Sequence, residues 1–290
     1  MAYTTEIFTL PNGGQMAYTL SPGTSDRIIL LSNSLAADLT SWDRVVPVLQ
    51  DRGFRVLRYD QPGHGRSSAP SMAERSSMTF ETMADEVHLL LRRLGISRLY
   101  AWIGVSMGGI KGVYFVSRHP GIVNKLIVLD AIAMSPTVAG ITDNFAARAR
   151  AVKEAGSVAE DLAITRKRWF GEEWMAEHPG ETARMESSMA TTTIGGLEAC
   201  CTALGQPSFD LRSLYPSVGT GCDEALIVAG EKDADLPIKM QDMRSAVEDS
   251  FRSHGKKAPV QMKIVKSAGH VPYIDGFEDF CEIVTGFLSR

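Results

Sequence analysis

Cysteine is scarce in this chain and falls into no recognisable pattern. Only four are present, Cys200, Cys201, Cys222 and Cys281, among 290 residues. They form no Cys-X-X-Cys pair and no zinc-ligand spacing, and adjacent Cys200 and Cys201 are a poor basis for a disulfide framework. Reduced structural thiols are expected, with no metal. No apolar run approaches the roughly 18 residues of a membrane span. An excess of positive charge is also missing: the formal net charge is -4, which speaks against a nucleic-acid partner. The start, Met1 to Glu6, lacks the positive stretch and apolar core of a secretory signal, so a cytoplasmic protein is expected. No internal repeat or low-complexity linker is visible. What remains is a mixture of 44% hydrophobic and 22% charged residues, ordinary for a globular protein. The length suits one large α/β domain with an insertion, or two small domains.

The apolar patterning has a rhythm. Ile7, Thr9, Met16 and Tyr18 alternate around Pro11-Asn12-Gly13-Gly14, which predicts a hairpin over residues 5–20. Continuous apolar runs at 27–31, 54–59, 100–105, 125–130, 225–229 and 260–265 read as strands buried on both faces. Helical spacing lies between them, at 43–52, 80–94, 110–119, 238–252 and 277–288. Strands alternating with helices predict a doubly wound, mostly parallel sheet. Between about 135 and 215 the strands stop. Amphipathic segments at 145–155, 158–170, 174–189 and 195–204 read as a helical insertion. The expected division is a core of residues 1–134 and 216–290 with a helical lid over 135–215.

One stretch points to chemistry. The apolar strand at Tyr100 to Val105 runs into Gly104-Val105-Ser106-Met107-Gly108-Gly109 and then a helix. A serine on a sharp turn between strand and helix, flanked by small residues, is the geometry of a nucleophile elbow. The pentapeptide alone also fits a glycine-rich turn, so the remaining chain must supply an acid, a histidine and oxyanion donors.

In an open parallel sheet such groups sit in loops beyond the carboxyl ends of strands. The loop after 226–229 offers Asp233, with Asp235 beside it, and Asp130 after the preceding strand is a further option. The loop after 260–265 offers His270 in Ser267-Ala268-Gly269-His270. The other five histidines lie elsewhere: His64 in a glycine loop, His88 and His119 on helices, His178 in the insertion and His254 near a helix end. For the oxyanion, the amide of Met107 is one donor, and the loop Ser32 to Ala37 supplies the second, with Leu35 preferred.

With these residues in place the chain resembles the α/β-hydrolases, whose Ser…Asp…His order matches Ser106, Asp233 and His270. Leu31-Ser32-Asn33-Ser34-Leu35 with Asp38 and Trp42, Arg58-Tyr59-Asp60 and Gly104 to Ile110 are similar to 3-oxoadipate enol-lactone hydrolases. The Gly-X-Ser-Met-Gly-Gly run also resembles cofactor-free haloperoxidases and esterases. Two departures stand out: Gln61 sits where arginine is common, and the insertion is longer. The resemblance implies an α/β-hydrolase fold and a serine hydrolase that cleaves a lactone or small carboxylic ester without a cofactor. Two alternatives stay open on the same triad, hydrolysis of a carbon–carbon bond in a vinylogous diketone and perhydrolysis. A ligand receptor built on the hydrolase shell is a non-enzyme alternative. Asn33, Ser34, Trp42, Trp169 and Trp174 are expected to contact substrate; Phe145, Phe170 and Met189 could also line the pocket, though such lid residues more often form the lid's own core. Arg148, Arg150, Arg166, Lys167 and Arg168 offer either a carboxylate anchor or a solvated face.

Overall fold

The computed structural model describes residues 3–290; Met1 and Ala2, on which part of the N-terminal reading falls, lie outside the described residues. Eight strands form one sheet: β1 (Glu6–Thr9), β2 (Gln15–Leu20), β3 (Ile28–Ser32), β4 (Arg55–Tyr59), β5 (Leu99–Val105), β6 (Val123–Leu129), β7 (Glu224–Gly230) and β8 (Gln261–Val265). Their spatial order is β1-β2-β4-β3-β5-β6-β7-β8. The hairpin β1–β2 joins the sheet antiparallel to β4, and every later pairing is parallel. The central strands β3, β5 and β6 are buried nearly throughout. Helices on both faces exclude water from them, which is why their sequences run apolar without alternation. At the edge, β8 exposes Lys263 and Ile264.

The helices follow in chain order: α1 (Val45–Gln50), α2 (Met72–Ser77), α3 (Phe80–Arg93), α4 (Met107–Arg118), α5 (Pro136–Ala139), α6 (Asn144–Ala155), α7 (Ala159–Phe170), α8 (Glu172–Glu177), α9 (Pro179–Met189), α10 (Ile194–Gly205), α11 (Tyr215–Gly221), α12 (Leu236–Ser253), α13 (Pro272–Asp275) and α14 (Phe277–Leu288). The single helix expected over 174–189 is two. Pro179 disfavours helical backbone at the residue before it, and His178 turns out at φ -123° and ψ 57° between α8 and α9. The short helices α2, α5, α11 and α13 were not expected from periodicity, since one or two turns carry too few residues to show it.

Helices α5 to α10 leave and rejoin the core through a narrow neck. Ser135 N–H donates to Phe209 O at 2.9 Å and Leu211 N–H to Ala133 O at 2.8 Å, around a bridge between Met134 and Asp210. The far end of the insertion is tied to the carboxyl side of the sheet. The Asp38 carboxylate accepts from Ser188 Oγ at 2.7 Å and Thr191 Oγ1 at 3.2 Å. Thr193 N–H donates to Gly63 O at 2.8 Å. Helix α11 belongs with the core, packing on α12 and α4.

Candidate active site

The turn from β5 into α4 forces Ser106 to φ 53° and ψ -119°, outside the regions an L-residue favours. Its neighbours make the turn sterically feasible. A Cβ on Gly104 would lie 2.2 Å from the carbonyl of Gly108, and one on Gly108 would lie 2.1 Å from Ser32 O. Ser106 N–H donates to Leu129 O at 2.7 Å, so β6 anchors the strained residue. As the residue opening α4, Met107 has an amide with no acceptor inside the helix.

Beside this turn runs the loop after β3. Leu35 N–H has no acceptor among the described residues. The loop's conformation is fixed from beneath: Ala36 sits at φ 65°, and its N–H donates to His64 Nε2 at 3.1 Å. Gln61 Nε2 donates to Ser34 O at 2.9 Å. Trp42 Nε1 donates to Asn33 Oδ1 at 2.6 Å, and Asn33 Nδ2 donates to Tyr59 O at 3.3 Å.

Across the sheet edge, the loops after β7 and β8 meet. His270 Nδ1 and Asp233 Oδ2 lie 2.6 Å apart, both groups buried. Burial works to raise the Asp233 pKa, but the hydrogen bond and charge of His270, with the Arg168 guanidinium, hold it below the usual carboxylate range. Asp235 is exposed, pairs with Lys239 at 2.6 Å and makes no contact with the imidazole. Asp130 is wholly buried at φ 45°, and its Oδ1 accepts from Gly230 N–H at 2.8 Å. Burial first, then the negative charge of Asp233, push its pKa well above the ordinary range. The His270 loop has its own anchor, Gly269 N–H donating to Asp275 Oδ2 at 2.6 Å. Trp169 from α7 lays its ring against the imidazole, centroids 5.8 Å apart. No hydrogen bond joins Ser106 Oγ to His270 among the described residues; such contacts often tighten only when substrate arrives.

Several residues expected to contact substrate have partners within the protein. Trp42 is fully buried and stacked on Tyr273, centroids 3.7 Å apart, so it supports the Leu35 loop from below. The Asn33 side chain bonds Tyr59 O and Trp42 Nε1, and buried Ser34 contributes its carbonyl to Gln61. Trp174, partly buried, stacks between Phe170 and His178, 4.8 and 4.5 Å between centroids. Met189 is fully buried in the apolar core. Phe145 lines an apolar cavity of about 770 Å³ with Ile132, Met134 and Met243. Of the cations, Arg148 is paired with Asp161, Arg166 with Glu186 and Lys167 with Glu172. Arg150 and Arg168 have no ion-pair partner among the described residues, and Arg168 is the one that acts on Asp233. The roles of Gln61, His64 and Lys111 beneath the loop escape sequence reading, because their partners come from other elements.

Fold and geometry together define a class. Residues 27–277 match the alpha/beta hydrolase fold family, and the chain belongs to it. Within that family it is 30% identical to 3-oxoadipate enol-lactonase 2 of Acinetobacter baylyi over 214 residues, 73% of each chain. It is 27% identical to 3-oxoadipate enol-lactonase 1 of the same organism over 265 residues, covering 90% of this chain and 88% of that one. Its fold is similar to the crystal structure of the enol-lactonase from Burkholderia xenovorans, with TM-score 0.83, 26% identity and coverage of 98% and 100% of the two chains.

Proposed function

We propose that the protein hydrolyses a lactone or small carboxylic ester through an acyl-enzyme formed on Ser106. The observation that carries this reading is the buried Asp233–His270 pair at 2.6 Å beside a serine held in an elbow conformation. The similarity to enol-lactonases supports a lactone among the possible esters.

Ser106 Oγ attacks the carbonyl carbon as His270 Nε2 takes its proton. Asp233 fixes the tautomer by accepting from Nδ1–H and stabilises the imidazolium that forms. The Leu35 and Met107 amides receive the charge that develops on the carbonyl oxygen. The tetrahedral adduct collapses, and His270 returns its proton to the departing oxygen. With a lactone that oxygen stays tethered, so the acyl-enzyme carries its own leaving group. His270 then deprotonates a water that attacks the acyl carbon, releasing the acid and restoring Ser106. The scheme uses no metal or organic cofactor. Residues 135–215 serve as the lid, with Trp169 closing over the imidazole.

The test is turnover on a panel of lactones and p-nitrophenyl esters of graded chain length, with Ser106→Ala as the blank. Hydrolysis by the parent and none by the variant is expected, together with covalent labelling of Ser106 by a fluorophosphonate. Full turnover by Ser106→Ala would remove the mechanism. A folded parent that hydrolyses nothing and resists labelling would favour a receptor.

A further inference from the structure

Helix α4 carries a fully buried lysine that forms no salt bridge among the described residues, with the buried Glu86 carboxyl as its nearest electrostatic counterpart. Lys111 lies five residues beyond Ser106, with 1% of its surface exposed. Its Nζ donates to Gln61 Oε1 at 3.1 Å and sits 4.9 Å from the centroid of the Tyr59 ring. A buried charge with so few partners is costly to keep, and the catalytic scheme above does not use it.

Its one hydrogen-bond partner among the described residues leads to the oxyanion loop. Gln61 Nε2 donates to Ser34 O at 2.9 Å. The orientation of this amide is forced, since an ammonium only donates and a carbonyl only accepts. Ser34 C=O and Leu35 N–H belong to one planar peptide, and no peptide bond in the described chain is cis. In a trans peptide the two groups point in opposite directions. Pinning Ser34 O toward Gln61 therefore aims Leu35 N–H the other way, where no acceptor among the described residues meets it. The next peptide is held from the same side by Ala36 N–H donating to His64 Nε2 at 3.1 Å.

The chain of groups is also electrostatic. A cation on Oε1 polarises the Gln61 amide, which makes Nε2–H a stronger donor to Ser34 O. That polarises the Ser34–Leu35 peptide and makes its N–H a stronger donor in turn. The low dielectric around Lys111 keeps its charge from being screened.

We propose that Gln61, held by Lys111, is a positioning residue that aims the Leu35 amide at the reacting carbonyl oxygen, and that the buried Lys111 charge strengthens that amide as a donor. This rests on the serine-hydrolase reading above and adds to it two buried residues that reading does not use.

The experiment compares the parent with Gln61→Leu, Gln61→Glu and Lys111→Met, measuring kcat per titrated site, KM, and affinity for a trifluoromethyl ketone that binds as a tetrahedral oxyanion. In both position-61 variants kcat should fall roughly ten- to a hundredfold, somewhat less than for outright loss of a donor. KM should stay within about twofold, and ketone affinity should fall in proportion to kcat/KM. Gln61→Glu keeps the size of the side chain and its bond to Lys111 but cannot donate to Ser34 O, so it separates aim from packing. Lys111→Met should shift kcat and ketone affinity in the same direction by a smaller factor. If Gln61→Leu fails to fold, the other two variants decide. A folded Gln61→Glu with kcat and ketone affinity within about twofold of the parent overturns the proposal. A parent that neither needs Ser106 nor binds the ketone would instead sink the serine mechanism, and this proposal with it.

Discussion

His64 gives the structure a measurable acid sensitivity. The imidazole is fully buried, with Nδ1–H donating to Pro62 O at 2.9 Å and Nε2 accepting from Ala36 N–H at 3.1 Å. Burial lowers its pKa from 6.5 to about 4, and the charges of Lys111 and Arg148 add to the effect. A proton on Nε2 would set a donor against the Ala36 donor. The unfolded chain binds that proton near pH 6.5 and the folded chain does not, so stability falls as pH drops from 6.5 toward 4. By linkage the whole effect is about 3 kcal/mol, with about 2 kcal/mol of it between pH 7.5 and 5. Asp60 and Glu86, both raised to about 7 by burial, have the opposite sign, and so does Asp275, raised to about 6. These groups stabilise the fold as pH falls, so the parent's profile alone is a sum of opposing terms. The difference between parent and His64→Phe removes them. Urea unfolding followed by circular dichroism from pH 7.5 to 5 should show the parent's advantage shrinking by about 2 kcal/mol. Two curves that stay parallel would refute the assignment of His64 as a neutral acceptor.

Three further outcomes follow from packing. Gly104→Ala places a methyl 2.2 Å from the Gly108 carbonyl and should cost about 3 kcal/mol or more, read as a lowered urea midpoint or loss of soluble protein; an unchanged midpoint would contradict the elbow geometry. Trp42→Ala removes a ring stacked at 3.7 Å on Tyr273 and leaves Asn33 Oδ1 without its donor. A loss of about 3–5 kcal/mol is expected in the same assay, with kcat falling more than KM rises. Burial pushes the thiols of Cys200, Cys201 and Cys222 up to about 12, so a coloured disulfide reagent at pH 8 should react with them only at the rate of unfolding. Rapid labelling of these three in the native protein would count against the packing.

Much of the fold was legible because its signals are local. The turn at Pro11 to Gly14, the apolar runs of β3, β5, β6 and β7 and the glycines of the elbow each act within a few residues. The addresses of Asp233 and His270 needed only the rule that loops at the carboxyl ends of parallel strands converge, and the structure brings those two side chains into contact. Where the expectation failed at 174–189, a proline inside an otherwise helical pattern was present in the sequence and outweighed the periodicity.

The site's supports were not legible, for a physical reason that Trp42, Trp169 and Trp174 illustrate. All three are large and apolar, and the sequence alone offers each either as a pocket wall or as packing. Their positions differ because stacking partners decide which way each ring turns: Trp42 is drawn under the loop by Tyr273 and Asn33, Trp174 lies between Phe170 and His178, and Trp169 stacks against His270. The same holds for polar residues. A lysine on an amphipathic helix is expected in water, and Lys111 is buried because Gln61 and the Tyr59 ring, 50 and 52 positions earlier in the chain, receive it. Periodicity describes one element against solvent and cannot weigh a partner supplied by another. The residues that shape a site from behind are therefore those whose burial contradicts their local pattern, and in this chain Gln61, His64 and Lys111 all meet that description.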